Sequence, residues 1–165
     1  MITFKEIQRD MDVRDLIQAV DENFRLYHQL LSKIYERPVG EDRQADMLNE
    51  LLRTIAVIQD EVVDFRLKKI LQEEHPYLPQ ISIDKIRMNR DIQRIPLPQI
   101  VDHFLRQRQG LVKLLSSLSG DTWERTGVHE VEGHVSFKEF VRRLVEKDKE
   151  VLHKLSALMN TLHLS

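Results

Sequence analysis

Residues 136–159 read SFKEFVRRLVEKDKEVLHKLSALM, and this stretch decides the fold class. Ser136 and Glu139, three residues apart, form a capping box that starts a helix. Apolar side chains then recur at alternating intervals of four and three residues, the period of a helix that presents one stripe to a bundle. The stripe consists of Phe137, Val141, Leu144, Asp148, Val151, Leu155 and Leu158. The stretch therefore predicts a long amphipathic helix with one carboxylate, Asp148, in its apolar stripe.

Three earlier segments show the same alternation, at residues 13–34, 48–65 and 101–118. The first segment ends at Pro38 and Gly40, and the second stripe ends on Phe65. A short connection joins these two segments, so we expect the first and second helices to be antiparallel neighbours. The third stripe is interrupted by one charged residue, Arg108.

The connection between the second and third helices is long. The run HPYLP at residues 75–79 cannot form a regular helix, and Pro96 and Pro98 mark the start of the next one. A short helix near 83–88 is compatible with the sequence. A connection of this length can cross the bundle from end to end, which lets helices two and three run parallel.

Composition indicates a single helix-rich domain over residues 1–165. The chain is 41% hydrophobic and 32% charged, with only five Gly and five Pro. A net charge of -2 predicts neither nucleic acid nor an anionic membrane as partner. The absence of Cys excludes disulfides, thiolate metal sites and a Cys nucleophile. The N-terminal residues lack signal-peptide features, so we expect a cytoplasmic protein.

Two parts of the sequence resemble the DinB/YfiT-like family. The run LSGDTWERTGVH at 118–129, followed by GHVSF at 133–137 and a helix with Asp148, is similar to the family's C-terminal half. The run DEVVDFRLKKIL at 60–71, followed by PYLP at 76–79, resembles its second helix and the connection after it. The likeness covers about residues 10–160 and rests on the order and spacing of these runs, since no single run is very specific. It implies an all-α, up-down-down-up four-helix bundle.

The resemblance also implies where a metal would bind. Many family members hold a divalent metal through three histidines, one on helix two and two on helix four, four residues apart. Carried over to this chain, these positions are Ile55, Lys147 and Val151. None is an ordinary metal ligand at neutral pH, and a lysine can extend its charge into solvent. The resemblance therefore predicts a member that has lost its metal site and needs no cofactor.

Arg108 and Asp148 interrupt two stripes that should face each other. They predict a buried ion pair that sets helix register, or alternatively a polar anchor inside a ligand cleft. Asp60 occupies a position where the family often has a helix-two Glu, so we expect it near the former pocket. Trp123, the only Trp, either packs a loop onto the bundle end or forms one wall of a pocket.

The seven histidines are scattered, and structural or solvent-exposed roles are their default. His129 lies in a loop predicted beside the bundle mouth. An alternative is a divalent metal, such as nickel or zinc, at a non-family site formed by His28 or His129 with Asp60 or Asp64.

We therefore expect a non-catalytic binding or interaction protein, a homodimer through bundle helices, with a small molecule as a further candidate partner. The alternative is a thiol-dependent S-transferase-like enzyme with a displaced or absent metal and with Arg108 and Asp148 in its cleft.

Overall fold

Four long helices dominate the computed structural model, which describes residues 4–36, 43–82, 84 and 90–162. The helices are α1 Phe4–Glu36, α2 Arg43–Gln59, α3 Lys68–Gln72, α4 Arg90–Arg94, α5 Leu97–Ser117 and α6 Phe137–Thr161. A π-helical segment, Asp60–Leu67, joins α2 to α3, so these three pieces form the second helix of the bundle. The predicted helix near 83–88 falls, except for Asp84, outside the described residues. So do Pro38 and Gly40, the predicted end of the first helix.

Two apolar clusters fill the bundle, one towards each end, and they give the direction of each helix. The first cluster contains buried residues from 13–20, 63–70, 111–115 and 135–145. The second cluster contains buried residues from 27–34, 48–55, 101–105 and 151–159. α1 and α6 therefore run from the first cluster to the second, whereas the second helix and α5 run from the second to the first. This confirms the predicted up-down-down-up bundle.

The order of the helices around the bundle differs from the prediction. α1 packs mainly against α5 and α6, and α2 packs mainly against the same two helices. Within the described residues, α1 and α2 are therefore diagonal partners, and the predicted adjacency is wrong. Six residues separate the two helices in sequence and can span about 20 Å, whereas neighbouring helices lie only about 8–10 Å apart. A short connection can therefore also cross a diagonal.

The π-helical segment changes which residues of the second helix face the core. The predicted stripe continued through Val62 to Phe65, but Phe65 is 38% exposed and Val62 is half-buried. Val63 and Leu67 are buried instead. A π-helical turn closes its hydrogen bond one residue later than an α-helical turn. The stripe therefore shifts by one residue or more after Gln59.

A small three-stranded sheet, which the sequence did not predict, covers the first-cluster end of the bundle. It comprises β1 Tyr77–Leu78, β2 Thr126–His129 and β3 Gly133–Ser136, with β2 in the middle. β1 pairs in parallel with β2, and β2 and β3 form an antiparallel hairpin. At Gly127 an added Cβ would lie 2.5 Å from Leu78 Cδ1, so glycine permits this close approach of the strands. Within the described ranges, no helix has the length and apolar character needed to cross a membrane.

Candidate functional site

A layer of polar side chains separates the two apolar clusters, and each long helix contributes one of them. They are Asn23 of α1, Gln59 of α2, Arg108 of α5 and Asp148 of α6. Arg108 is 1% exposed and Asp148 is 3% exposed. We call these four residues the polar layer.

Asp148 is the acceptor at the centre of the polar layer. Arg108 Nη2 donates to Asp148 Oδ1 at 3.1 Å, and Arg108 Nη1 donates to Oδ2. Tyr27 Oη donates to Oδ1 at 3.0 Å, and Asn23 Nδ2 donates to Oδ2 at 3.3 Å. An ionised carboxylate has about four acceptor positions, so these four donors saturate it. The predicted ion pair is therefore present and is deeply buried.

The remaining groups of the layer are also paired. Arg108 Nε donates to Gln59 Oε1 at 2.7 Å, and Gln59 Nε2 donates to the Phe104 carbonyl at 3.1 Å. The Arg108 guanidinium lies 5.4 Å from the ring centres of both Tyr27 and Phe104. Burial, followed by the charge of Asp148, raises the pKa of Tyr27 far above its ordinary value. Tyr27 therefore stays protonated and remains a donor to Asp148.

The three positions that correspond to metal ligands in the resembling family carry side chains in two different environments. Ile55 and Val151 are buried in the second apolar cluster. Lys147 points to the surface, with 57% of its side chain exposed, and its Nζ lies 3.3 Å from Glu150 Oε2. Two of the three side chains thus pack in the core, whereas the third makes a surface ion pair.

A cleft of about 300 Å³ opens between the second helix and α6. We call it the α2/α6 cleft, although its helix-two wall extends into the π-helical segment. Its lining residues are Ile58, Val62, Arg66, Gln80, Ile81, His129, Phe140, Arg143, Leu144 and Lys147. The lining thus combines apolar side chains with several cationic or polar groups, and it includes two residues named from the sequence, His129 and Lys147.

The cations of the α2/α6 cleft differ in their pairing. Arg143 is bound by Glu132, with both Nη atoms 2.7 Å from its carboxylate oxygens, and Arg143 Nε lies 3.1 Å from Glu139 Oε1. Arg66 is 4% exposed, and its Nη2 donates to the Pro79 carbonyl. Arg66 Nε has no hydrogen-bond partner among the described residues. Burial lowers the pKa of Arg66, and the charge of Glu61 partly opposes this shift.

Arg66 is a site residue that was not predicted from the sequence. An α-helical period places residue 66 beside the predicted stripe that ends on Phe65. The π-helical segment instead buries Arg66 and turns Phe65 outward. No signal in the local sequence distinguishes such a segment from an ordinary helix.

His129 is held by its own hairpin. Its Nδ1 accepts hydrogen bonds from the backbone N–H groups of Val131 at 3.1 Å and Glu132 at 3.2 Å. In the neutral imidazole the proton therefore lies on Nε2, as inferred from this hydrogen-bonding pattern. The ring is consequently a donor through Nε2 on the wall of the cleft.

Asp60 and Asp64 lie close to a histidine, His103, which differs from the two histidines, His28 and His129, that the sequence suggested. Ligand atoms of the three side chains lie within 4.8 Å of one another. His103 Nε2 is 2.9 Å from Asp60 Oδ1, which also accepts from Gln107 Nε2 at 3.0 Å. Asp64 pairs with Lys68 at 3.1 Å. We call Asp60, Asp64 and His103 the surface triad.

The surface triad differs from the alternative metal site that the sequence suggested, which paired His28 or His129 with Asp60 or Asp64. In the structure, the His129 ring is bound within its hairpin, and the His28 ring packs against Phe24 with 6.1 Å between ring centres. Asp60 bonds to α5 residues and is not among the residues that line the α2/α6 cleft. His103 and Asp60 are 43 residues apart in sequence, so helical periodicity alone could not pair them.

Trp123 belongs to the first apolar cluster and is fully buried. It lies in a 3₁₀ turn, Gly120–Glu124, and its ring meets Phe137 edge-on with 5.3 Å between ring centres. Trp123 Nε1 has no hydrogen-bond partner among the described residues. Trp123 therefore packs the 3₁₀ turn onto the bundle end, which is the first of its two predicted roles.

Comparison with known proteins gives one informative likeness. No protein-family model matches the sequence, and no curated protein matches it. The structure of YfiT from Bacillus subtilis, described as a probable metal-dependent hydrolase with an unusual four-helix bundle topology, superposes with a TM-score of 0.74. That match covers 100% of this chain and 92% of YfiT at 14% sequence identity. The chain therefore has the four-helix-bundle fold of YfiT, as the sequence predicted.

Proposed function

We propose that this protein is a DinB/YfiT-like bundle that has lost the metal site and acts as a non-catalytic binding protein. The observation that carries the proposal is where the side chains at the three ligand positions lie. Ile55 and Val151 are part of the second apolar cluster, and Lys147 forms an ion pair at the surface. Aliphatic side chains offer no electron pair to a cation, so a metal at this position would have no ligands there.

The polar layer supports the same proposal. Asp148, the carboxylate between the two helix-four positions, receives four hydrogen bonds from Arg108, Tyr27 and Asn23. Its acceptor positions are thereby filled, and its exposure of 3% excludes bulk solvent. A carboxylate so paired stabilises helix register and has no free acceptor position to offer a substrate. The alternative with Arg108 and Asp148 in an open cleft is correspondingly disfavoured.

The α2/α6 cleft is where we place the binding function. Its volume of about 300 Å³ is at the lower end of the range for small-molecule sites. It has an apolar floor and a few polar groups, the usual composition of such sites. The homodimer and the cytoplasmic location expected from the sequence stay predictions.

A metal-dependent enzyme is the second candidate, and the surface triad favours it. YfiT is described as a probable metal-dependent hydrolase, and a thiol-dependent S-transferase-like enzyme with a displaced metal would need ligands elsewhere in the bundle. Two carboxylates and one imidazole suit nickel, zinc or manganese, and three protein ligands with an open position are typical of catalytic zinc. Against it, Lys68 and Gln107 already occupy the carboxylates.

A thermal-shift screen of untagged protein with nickel, zinc, manganese and iron distinguishes the two candidates. We expect no ion to raise the melting temperature, because a ligand stabilises a protein only when it binds the folded state preferentially. An increase of several degrees with one ion would contradict the metal-free proposal.

Two variants locate any metal that does bind. His103→Gln removes the imidazole of the surface triad, and His153→Gln is a matched control because His153 is also exposed and lies on α6. An ion-dependent shift that His103→Gln abolishes and His153→Gln preserves would establish the displaced-metal candidate.

A further inference from the structure

Arg66 is a buried cation without a carboxylate partner among the described residues. It is 4% exposed, its Nε has no hydrogen-bond partner, and its one described bond goes to the neutral carbonyl of Pro79. Burial already disfavours its charge, as the lowered pKa of Arg66 indicates. An ionised group buried without a counter-ion costs stability. The charge of Glu61 acts on Arg66 but forms no ion pair with it, so no direct contact within the described fold neutralises the charge at this position.

The surroundings of Arg66 are those of a ligand site. Arg66 lines the α2/α6 cleft together with the apolar side chains of Ile58, Val62, Phe140 and Leu144. Val62 and Arg66 both lie in the π-helical segment, and such segments frequently occur at functional sites. The segment thus brings one unpaired positive charge to the edge of an apolar cleft.

The charge balance of the cleft sets the charge of the ligand. Arg143 is already neutralised by Glu132 and Glu139, and Lys147 pairs with Glu150. One cation, Arg66, is left without such a partner among the described residues, so the cleft complements a single negative charge. A dianionic phosphate would need a second unpaired cation. A carboxylate needs one guanidinium edge and can take a further hydrogen bond from an imidazole N–H.

We propose that the α2/α6 cleft binds a small apolar molecule with one carboxylate, which is held by Arg66 with help from His129. The apolar body of the ligand packs on Phe140, Leu144 and Val62. This inference rests on the proposed function, since it specifies the ligand class of the binding protein proposed above. Arg66 is the residue that selects the acid over its neutral analogue.

The test compares octanoate with octan-1-ol, two probes with the same apolar chain and different charge. Each probe is titrated by calorimetry into EDTA-treated, untagged protein at neutral pH. We expect octanoate to bind at least about 10-fold more tightly than octan-1-ol, the difference typical of a charge-assisted hydrogen bond.

The variant Arg66→Met tests whether the preference for octanoate over octan-1-ol depends on the Arg66 side chain. Methionine has a similar length and no charge, so the variant should fold, with a melting temperature equal to or above that of the wild type. We expect octanoate affinity to fall by about 10- to 100-fold and octan-1-ol affinity to stay the same. Arg106→Met is the matched control, because Arg106 is exposed on α5 and pairs with Asp102; it should leave both affinities unchanged.

The outcomes separate this inference from the proposed function. Equal affinity for the two probes, no binding of either, or octanoate binding that Arg66→Met does not weaken would overturn the inference and leave the metal-free proposal intact. Octanoate binding that appears only when a metal is added would instead overturn the metal-free proposal.

Discussion

Asp148→Asn is expected to lower the free energy of unfolding by about 3 kcal/mol, because it leaves the buried Arg108 guanidinium without a counter-charge. The substitution keeps the shape of the side chain but replaces one acceptor oxygen with a donor amide. Arg108, Tyr27 and Asn23 all donate to Asp148, so at least one of these donors would then face another donor. For a protein of this size, the melting temperature should fall by about 6–12 °C.

Urea unfolding followed by circular dichroism measures this change in the free energy of unfolding. Glu146→Gln is the matched control: it removes a carboxylate from the same helix, where Glu146 is exposed and pairs with Arg142. Surface substitutions of this kind usually change stability by less than about 0.5 kcal/mol. If Asp148→Asn had the same free energy of unfolding as the wild type, the polar layer would be open to solvent and would not stabilise the bundle.

Trp123→Ala is expected to cost about 3–5 kcal/mol, the usual range when a large aromatic side chain is removed from a core. Trp123 is fully buried in the first apolar cluster and packs edge-on against Phe137. Its loss would leave a cavity between the 3₁₀ turn and the start of α6. The turn that carries it leads directly into β2, so loosening should spread to the small sheet.

Trp123→Phe is the informative companion to this substitution. It retains an aromatic ring and removes the Nε1–H group, which has no partner in the described part of the chain. Because an unpaired buried donor is itself destabilising, the loss of stability should be much smaller than for Trp123→Ala. If Trp123→Ala and the wild type had the same midpoint urea concentration of unfolding, Trp123 would not be part of the packed core.

The bundle could be predicted from the sequence because the pattern that produces it lies within each single helix. Each long helix repeats apolar residues with an α-helical period, and the resulting stripes must be buried against one another. Arg108 and Asp148 could be paired in advance for the same reason. Each is a single charge in an otherwise apolar stripe, and a buried charge needs a partner.

The parts that could not be predicted depend on non-local contacts or on a change of helical period. The π-helical segment turns Phe65 outward and buries Arg66, although no residue in the segment marks a change of helical period. The pairing of β1 with β2 joins residues about 50 positions apart through strands too short to show a period-two pattern. Asp60 and His103 meet across two polar helix faces, which periodicity treats as solvent-exposed.

The proposed loss of the metal site raises the question of what stabilises the bundle in place of the metal. A structural or catalytic metal stabilises the folded state through its ligands, and its loss must be offset. Here Ile55 and Val151 extend the second apolar cluster, and the polar layer joins all four long helices next to it. Under the proposed loss, packing of Ile55 and Val151 and the Arg108–Asp148 ion pair would supply the stabilisation that a metal gives in other proteins.

Elemental analysis by mass spectrometry tests this claim most directly. The protein is expressed without a tag in cells supplied with nickel, zinc, manganese and iron, and is purified without chelators. We predict far less than one metal ion per chain, because Ile55, Lys147 and Val151 provide no ligand set. One equivalent of a single metal would contradict the claim. Retention of that metal in His103→Gln would place it away from the surface triad, whereas its loss would establish the displaced-metal candidate.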